Sequence, residues 1–192
     1  MTRERVTPGW RDRAVSATAL LRRGSGASGA VTAQFAQALT SFALHLAASR
    51  ALGPSGLAVF ALLYSGVILA TAISTGLVGD SLTVLPRKQP AVRGGLQVVG
   101  AVIAVGAAVV GAVVAIAVGL LEPWPSLLFG AGIALFVIED LARRLLMASM
   151  RFWSLVVTDG TALVVTVGWI LGSSILAGSL SMTDLLLALL LG

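Results

Sequence analysis

Residues 51–79 contain no Asp, Glu, Lys or Arg, and the same holds for residues 31–49, 94–121, 123–138 and 160–183. No other feature constrains the fold as tightly. A helix rises about 1.5 Å per residue, so about 20 apolar residues cross the roughly 30 Å of hydrocarbon in a bilayer. Each run is continuous rather than alternating, which is the pattern of a transmembrane helix and not of a membrane β-barrel strand. Backbone amides cannot hydrogen-bond to lipid, so a segment of this kind must satisfy them internally, as a helix does.

The windows predict an all-α, polytopic transmembrane helical bundle with five complete spans and the start of a sixth. The spans fall at about 30–49, 57–78, 95–121, 125–149 and 154–177, and the sixth begins near Asp184. The fourth window is short by itself and reaches spanning length only if its helix continues through Glu139 to about Ser149. The breaks between spans carry turn chemistry. Gly53, Pro54, Ser55 and Gly56 form the first, Pro86 and Pro90 interrupt the second, Pro123 and Pro125 flank Trp124 in the third, and Asp184 sits at the start of the last helix.

Composition agrees. The chain is 57% hydrophobic and 11% charged, where a soluble domain carries about 25% charged residues. The pI near 11.3 comes from having few acids to balance 13 Lys and Arg. One Tyr and six Phe, most of them inside apolar runs, give no stacking platform, so the basic balance does not indicate nucleic-acid binding. Without cysteine there is no disulfide framework or thiolate chemistry, and a single histidine, His45, excludes multi-histidine metal sites.

Residues 1–29 differ from the rest. Arg3, Arg5, Arg11, Arg13, Arg22 and Arg23, followed by the Gly/Ser-rich residues 24–29, predict a basic, flexible cytoplasmic tail, with the transmembrane lobe occupying residues 30–192. The tail is too long for a signal-peptide n-region and the apolar stretch behind it exceeds an h-region, so a retained first span is expected. With the N-terminus inside, every Lys and Arg except Arg50 falls on the cytoplasmic side, including Arg87, Lys88 and Arg93 of the second connection and Arg143, Arg144 and Arg151 of the fourth. Such a bias sets topology. A multi-pass protein of the plasma membrane with a cytoplasmic N-terminus is the expectation.

Three features could carry function. Gln34, Gln37, Ser41 and His45 share one face of the first span, as a wall of a solute pathway or as partners in interhelical hydrogen bonds. Glu139, Asp140, Arg143 and Arg144 place two acid–base pairs at i, i+4, with Asp159 within reach, as a structural clasp or as a moving gate. Small residues at spacing four in the third span (Gly100, Ala104, Ala108, Ala112, and beside them Ala107, Gly111, Ala115, Gly119) fit close packing inside the bundle or a dimer contact. No nucleophile–base–acid set can be assembled, no metal or cofactor is called for, and an enzyme is not expected.

From Ala48 through Arg50, Leu52, Gly53 and Gly56 to Phe60 the chain resembles the first connection of polysaccharide and lipid-linked oligosaccharide flippases, of the MATE-like exporter superfamily. There an Arg-x-Leu-Gly closes the first span and a glycine–aromatic pattern opens the second. Ser55 stands where an acid is common, and Leu57 and Ala58 replace the aromatic residue and glycine. Gly79 with Asp80, and the basic fourth connection followed by Asp159, fit the same N-terminal lobe. The resemblance implies transport of a lipid-linked saccharide by alternating access between two lobes. The second lobe would come from a partner chain, a homo-oligomer or further sequence. The alternatives are a non-transporting scaffold or accessory subunit of envelope-polysaccharide machinery, and a truncated transporter.

Overall fold

Among the described residues, four helix ends fall beside a residue with positive φ, three of them glycines. The computed structural model describes the backbone of residues 10–79 and 90–191 and the side chains of residues 28–78 and 94–191. Its helices are α1 (Trp10–Ala51), α2 (Gly53–Ser74), α3 (Pro90–Ala117), α4 (Pro123–Ala148), α5 (Phe152–Ala177) and α6 (Met182–Leu191), and no strand occurs among the described residues. A π-helical turn, Thr75–Gly79, extends α2.

Gly53 takes φ +67°, and Pro54 follows in the first turn of α2, where its missing N–H costs no hydrogen bond. Gly119 takes φ +71° and returns the amides of Leu120 and Leu121 to the Ala115 carbonyl at 2.9 and 3.3 Å. The third helix therefore ends at Ala117, short of the expected residue 121, and Gly119 is a cap rather than a member of the small-residue ridge. Gly178, at φ +71°, closes α5. Ser181 and Asp184 then form a capping box: the Asp184 amide donates to Ser181 Oγ at 3.2 Å, and the Ser181 amide donates to Asp184 Oδ2 at 2.9 Å. At the α4–α5 turn the reversing residue is Met150, at φ 56°.

Four helical stretches are long and apolar enough to cross a membrane: Gly53–Val78, Gly94–Ala117, Pro123–Ala148 and Phe152–Ala177. α1 is long enough, but its Gln and His residues dilute the apolar run, and it is not one of the four. It also begins at Trp10, so helix extends into the segment expected to be a flexible tail. The residues preceding Trp10, and the connection 80–89 with Arg87 and Lys88, lie outside the described residues. The outer face of α3 exposes Val98, Val102, Val105, Val109 and Val113. Trp124 and Trp153, 66% and 64% exposed, mark opposite ends of the bundle, the positions amphipathic indoles take at the two membrane interfaces. The chain thus forms an all-helical, multi-pass type of membrane bundle.

Two helix pairs carry the most extensive packing, α1 with α5 and α3 with α4. In the second pair the small-residue ridge of α3 faces α4. A Cβ on Gly130 would lie 2.7 Å from the Ala108 carbonyl oxygen, and one on Gly100 would lie 2.6 Å from Leu141 Cδ1. The ridge is used for packing inside the chain. In the first pair a Cβ on Gly29 would lie 3.0 Å from Phe152 Cβ. α6 is wedged among α1, α4 and α5, and its Leu185, Leu186 and Leu189 join Phe60, Val67, Phe129, Ile133 and Val137 in the buried core.

Candidate functional site

Glu139, Asp140, Arg143, Arg144, Arg151 and Asp159 gather at one end of the bundle, which we call the charged end, where α4 finishes and α5 begins. Arg143 does not pair with Glu139 one turn away. Its Nη2 donates to Asp159 Oδ2 on α5 at 3.0 Å, with the two side chains 6% and 2% exposed. The choice follows from direction: Arg143 points into the bundle, where α5 offers a carboxylate with no other basic partner among the described residues. Arg144 donates from Nε to Asp140 Oδ2 at 2.8 Å, as the i, i+4 spacing predicts, in a partly exposed pair. Thr75, in the π-helical turn, donates to the same Asp140 oxygen at 3.2 Å and ties α2 into the cluster. Among the described residues, Arg143 Nε and Ser74 Oγ are the buried side-chain polar atoms without a hydrogen-bond partner.

Between this cluster and the middle of the bundle lies a cavity of about 20 Å³, room for about one water-sized group. Its lining mixes polar groups with the apolar side chains of Leu44, Phe136, Ala162, Ala188 and Leu189. α1 contributes Gln37, Thr40 and Ser41, α2 contributes Tyr64, and Glu139 and Asp159 face them from α4 and α5. Thr166 of α5 closes the wall beside α6, donating to the Ala188 carbonyl at 3.4 Å. The Glu139 carboxylate makes no hydrogen bond or ion pair with another described side chain. The cavity brings together two features separated in sequence by roughly a hundred residues, the polar face of α1 and the acidic end of α4.

The four polar residues of α1 do not act as one stripe. Gln37 and Ser41 line the cavity, whereas Gln34 is exposed on the outside of the bundle. Ser41 Oγ lies 2.7 Å from the Tyr64 hydroxyl, a direct α1–α2 hydrogen bond. His45 Nδ1 donates to the Ser41 carbonyl at 2.8 Å, and its ring packs edge-on against Phe60 and Tyr64, with centroids 5.5 and 4.8 Å away. His45 is therefore a packing residue of the α1–α2 hairpin. Thr40, Tyr64 and Thr166 complete the cavity and were missed by the sequence reading. Tyr64, the only tyrosine of the chain, is a hydroxyl within an apolar run and was the available signal for that wall.

Chemically, the cavity can hold a small polar group between carboxylates and hydroxyls. Among the described residues no three His, Cys, Asp or Glu side chains come together as a metal site. No family model, no curated protein and no solved structure matches the chain.

Proposed function

We propose that the chain is one lobe of a membrane transporter for a lipid-linked saccharide, in the plasma membrane, with the charged end on the cytoplasmic side. In this reading α1 is a fifth span and α6 begins a sixth. The observation that carries it is the polar cavity: Gln37, Ser41, Tyr64, Glu139 and Asp159 face one another inside a bundle whose outer surface is apolar. Polar and ionisable groups in membrane segments are costly and face a bundle interior or a solute pathway. The exposed Gln34 next to them supports an opposing wall outside this chain, because a lipid-facing glutamine has no partner for its amide. The orientation is supported by the Lys and Arg count, in which Arg50 alone falls on the other side.

Alternating access needs two bodies rocking about a site between them. The test is reconstitution into liposomes with a fluorescent lipid-linked oligosaccharide. The monomeric chain should move no substrate, whereas a dimer or a complex with a partner lobe should, and Gln37→Leu or Glu139→Gln should slow that transport. Transport by a verified monomer would overturn the half-transporter reading. The small size of the cavity favours a second reading, a non-transporting accessory subunit of envelope-polysaccharide machinery. Saccharide-independent co-purification with such machinery, without transport in any oligomeric state, would select it.

A further inference from the structure

Arg143 and Arg144 are neighbours on α4, and each has a carboxylate four residues earlier, yet only one of them uses it. Arg144 donates from Nε to Asp140 at 2.8 Å. The equivalent donor of Arg143, its own Nε, is buried and has no hydrogen-bond partner. The equivalent acceptor, Glu139, has no partner among the described side chains either, although its side chain is one methylene longer than that of Asp140. Arg143 reaches Asp159 instead, through Nη2 at 3.0 Å. A buried donor left unpaired carries the full desolvation cost of that group. An ionised carboxylate one turn earlier on the same helix is its natural acceptor. Two partnerless groups of opposite charge type, one turn apart, therefore need a common cause.

The charge count supplies one. Asp140 and Arg144 balance each other. Around the cavity, Glu139 of α4 and Asp159 of α5 have Arg143 alone as a cationic partner among the described residues, and Tyr64 of α2 is the remaining titratable group of the lining. The facing parts of α1 and α6 contribute Gln37, Thr40, Ser41, Ala188 and Leu189, none of them charged. His45 turns its ring to Phe60 and Tyr64, outside that lining. With both carboxylates ionised, one negative charge inside the bundle would have no counterion. A group so placed is neutralised by binding a proton, and the same proton removes the attraction that would draw Arg143 Nε to Glu139. We propose that Glu139 is a proton-binding site, and that release of its proton turns Arg143 Nε onto it. The Glu139 O–H bond breaks, the proton goes to water, and the guanidinium keeps its charge while bridging Glu139 and Asp159. One proton thus acts on the cavity wall and on the α4–α5 contact together, since Glu139 lines the first and Arg143 makes the second. Transport activity is not required for this inference.

The test follows the carboxylic-acid C=O band of the full chain in lipid nanodiscs by infrared difference spectroscopy across pH. Wild type should show a protonated carboxyl that bleaches as pH rises, and Glu139→Gln should remove it. Asp159→Asn frees Arg143 for Glu139, so the proton affinity of Glu139 should fall about tenfold or more and the band should titrate at lower pH. A pair that only braces the helices would not move that midpoint. Wild type alone gives a second readout that does not depend on the folding of Asp159→Asn. The isotope-labelled Arg143 Nε–H resonance, assigned by its loss in Arg143→Lys, should shift with the midpoint of the band. A spectrum that Glu139→Gln leaves unchanged would overturn the proposal. So would a midpoint indifferent to Asp159→Asn, or an Nε–H resonance that stays fixed while the band titrates.

Discussion

Arg143 and Asp159 meet at 3.0 Å across the α4–α5 turn, and both side chains are withdrawn from solvent. In a bilayer neither charge has water to fall back on, so each depends on the other. Removing one partner of a buried pair typically costs about 3–5 kcal/mol, while an exposed pair is worth roughly 0–1 kcal/mol. We expect Arg143→Ala and Asp159→Ala each to produce the larger loss and to be strongly non-additive in a double-mutant cycle. Asp140→Ala, which touches the partly exposed pair with Arg144, should produce the smaller loss. Reversible unfolding in mixed micelles measures all three, and additivity of Arg143→Ala with Asp159→Ala would disprove the pairing.

The orientation can be tested with single cysteines, because the chain has none of its own. Ser126 is a poor site despite its place at the end of the bundle opposite the charged end, because it is fully buried and its hydroxyl donates to the Glu122 carbonyl at 2.8 Å. Ser179 and Ser149 are exposed at opposite ends. A membrane-impermeant thiol reagent should label Ser179→Cys in intact cells and leave Ser149→Cys untouched until the membrane is opened. The opposite pattern would invert the topology.

Two glycines of the same helical character should respond differently to alanine. At Gly130 a methyl group would sit 2.7 Å from the Ala108 carbonyl oxygen and 3.1 Å from Ala112 Cβ, so α3 and α4 would have to separate. We expect Gly130→Ala to cost about 1–3 kcal/mol as an overpacked interface. At Gly160 the added methyl meets nothing within 4 Å, and Gly160→Ala should be neutral or stabilising by up to about 1 kcal/mol. Thermal denaturation in a common detergent compares the two, and equal melting temperatures would contradict the close α3–α4 approach.

Met150 holds φ at 56°, a region where L side chains are strained, and its side chain is 77% exposed and contributes little packing. Met150→Gly should therefore stabilise the α4–α5 turn by about 1 kcal/mol, and Met150→Val should destabilise it, because β-branching adds to the left-handed clash. The same denaturation experiment decides; a loss of stability on Met150→Gly would show that the turn is not strained there.

Helix existence was legible in the charge-free windows because hydropathy acts on whole segments and does not depend on which neighbours arrive. Gly53 with Pro54 marked a reversal that local chemistry alone enforces. Gly119 was misassigned to the third span because a glycine reads equally as a close-packing residue and as a left-handed cap, and only the return of Leu120 to Ala115 separates the two. The site was harder. The i, i+4 spacing gave Asp140–Arg144 correctly, but it also suggested Glu139–Arg143, and the direction in which Arg143 points is set by where α5 packs, a tertiary fact. The cavity face of α1 is centred on Gln37, Thr40 and Ser41 rather than on the line from Gln34 to His45, since a helix face has no preferred edge until its neighbours are placed.

The pairing of α1 with α5 has a consequence for biosynthesis. Phe152, where α5 begins, follows the end of α1 by about a hundred residues, on the order of 5–20 s of synthesis at about 5–20 residues per second. α2 reaches α1 soon after it and supplies Tyr64 to Ser41. The Gln37 side of α1 faces a cavity whose Glu139 and Asp159 walls have not yet been translated. On the proposed reading of α1 as a span, that helix presents an unshielded glutamine to its surroundings during the interval, and the ribosome-bound chain is then exposed to misinsertion or capture by quality-control machinery until α5 emerges.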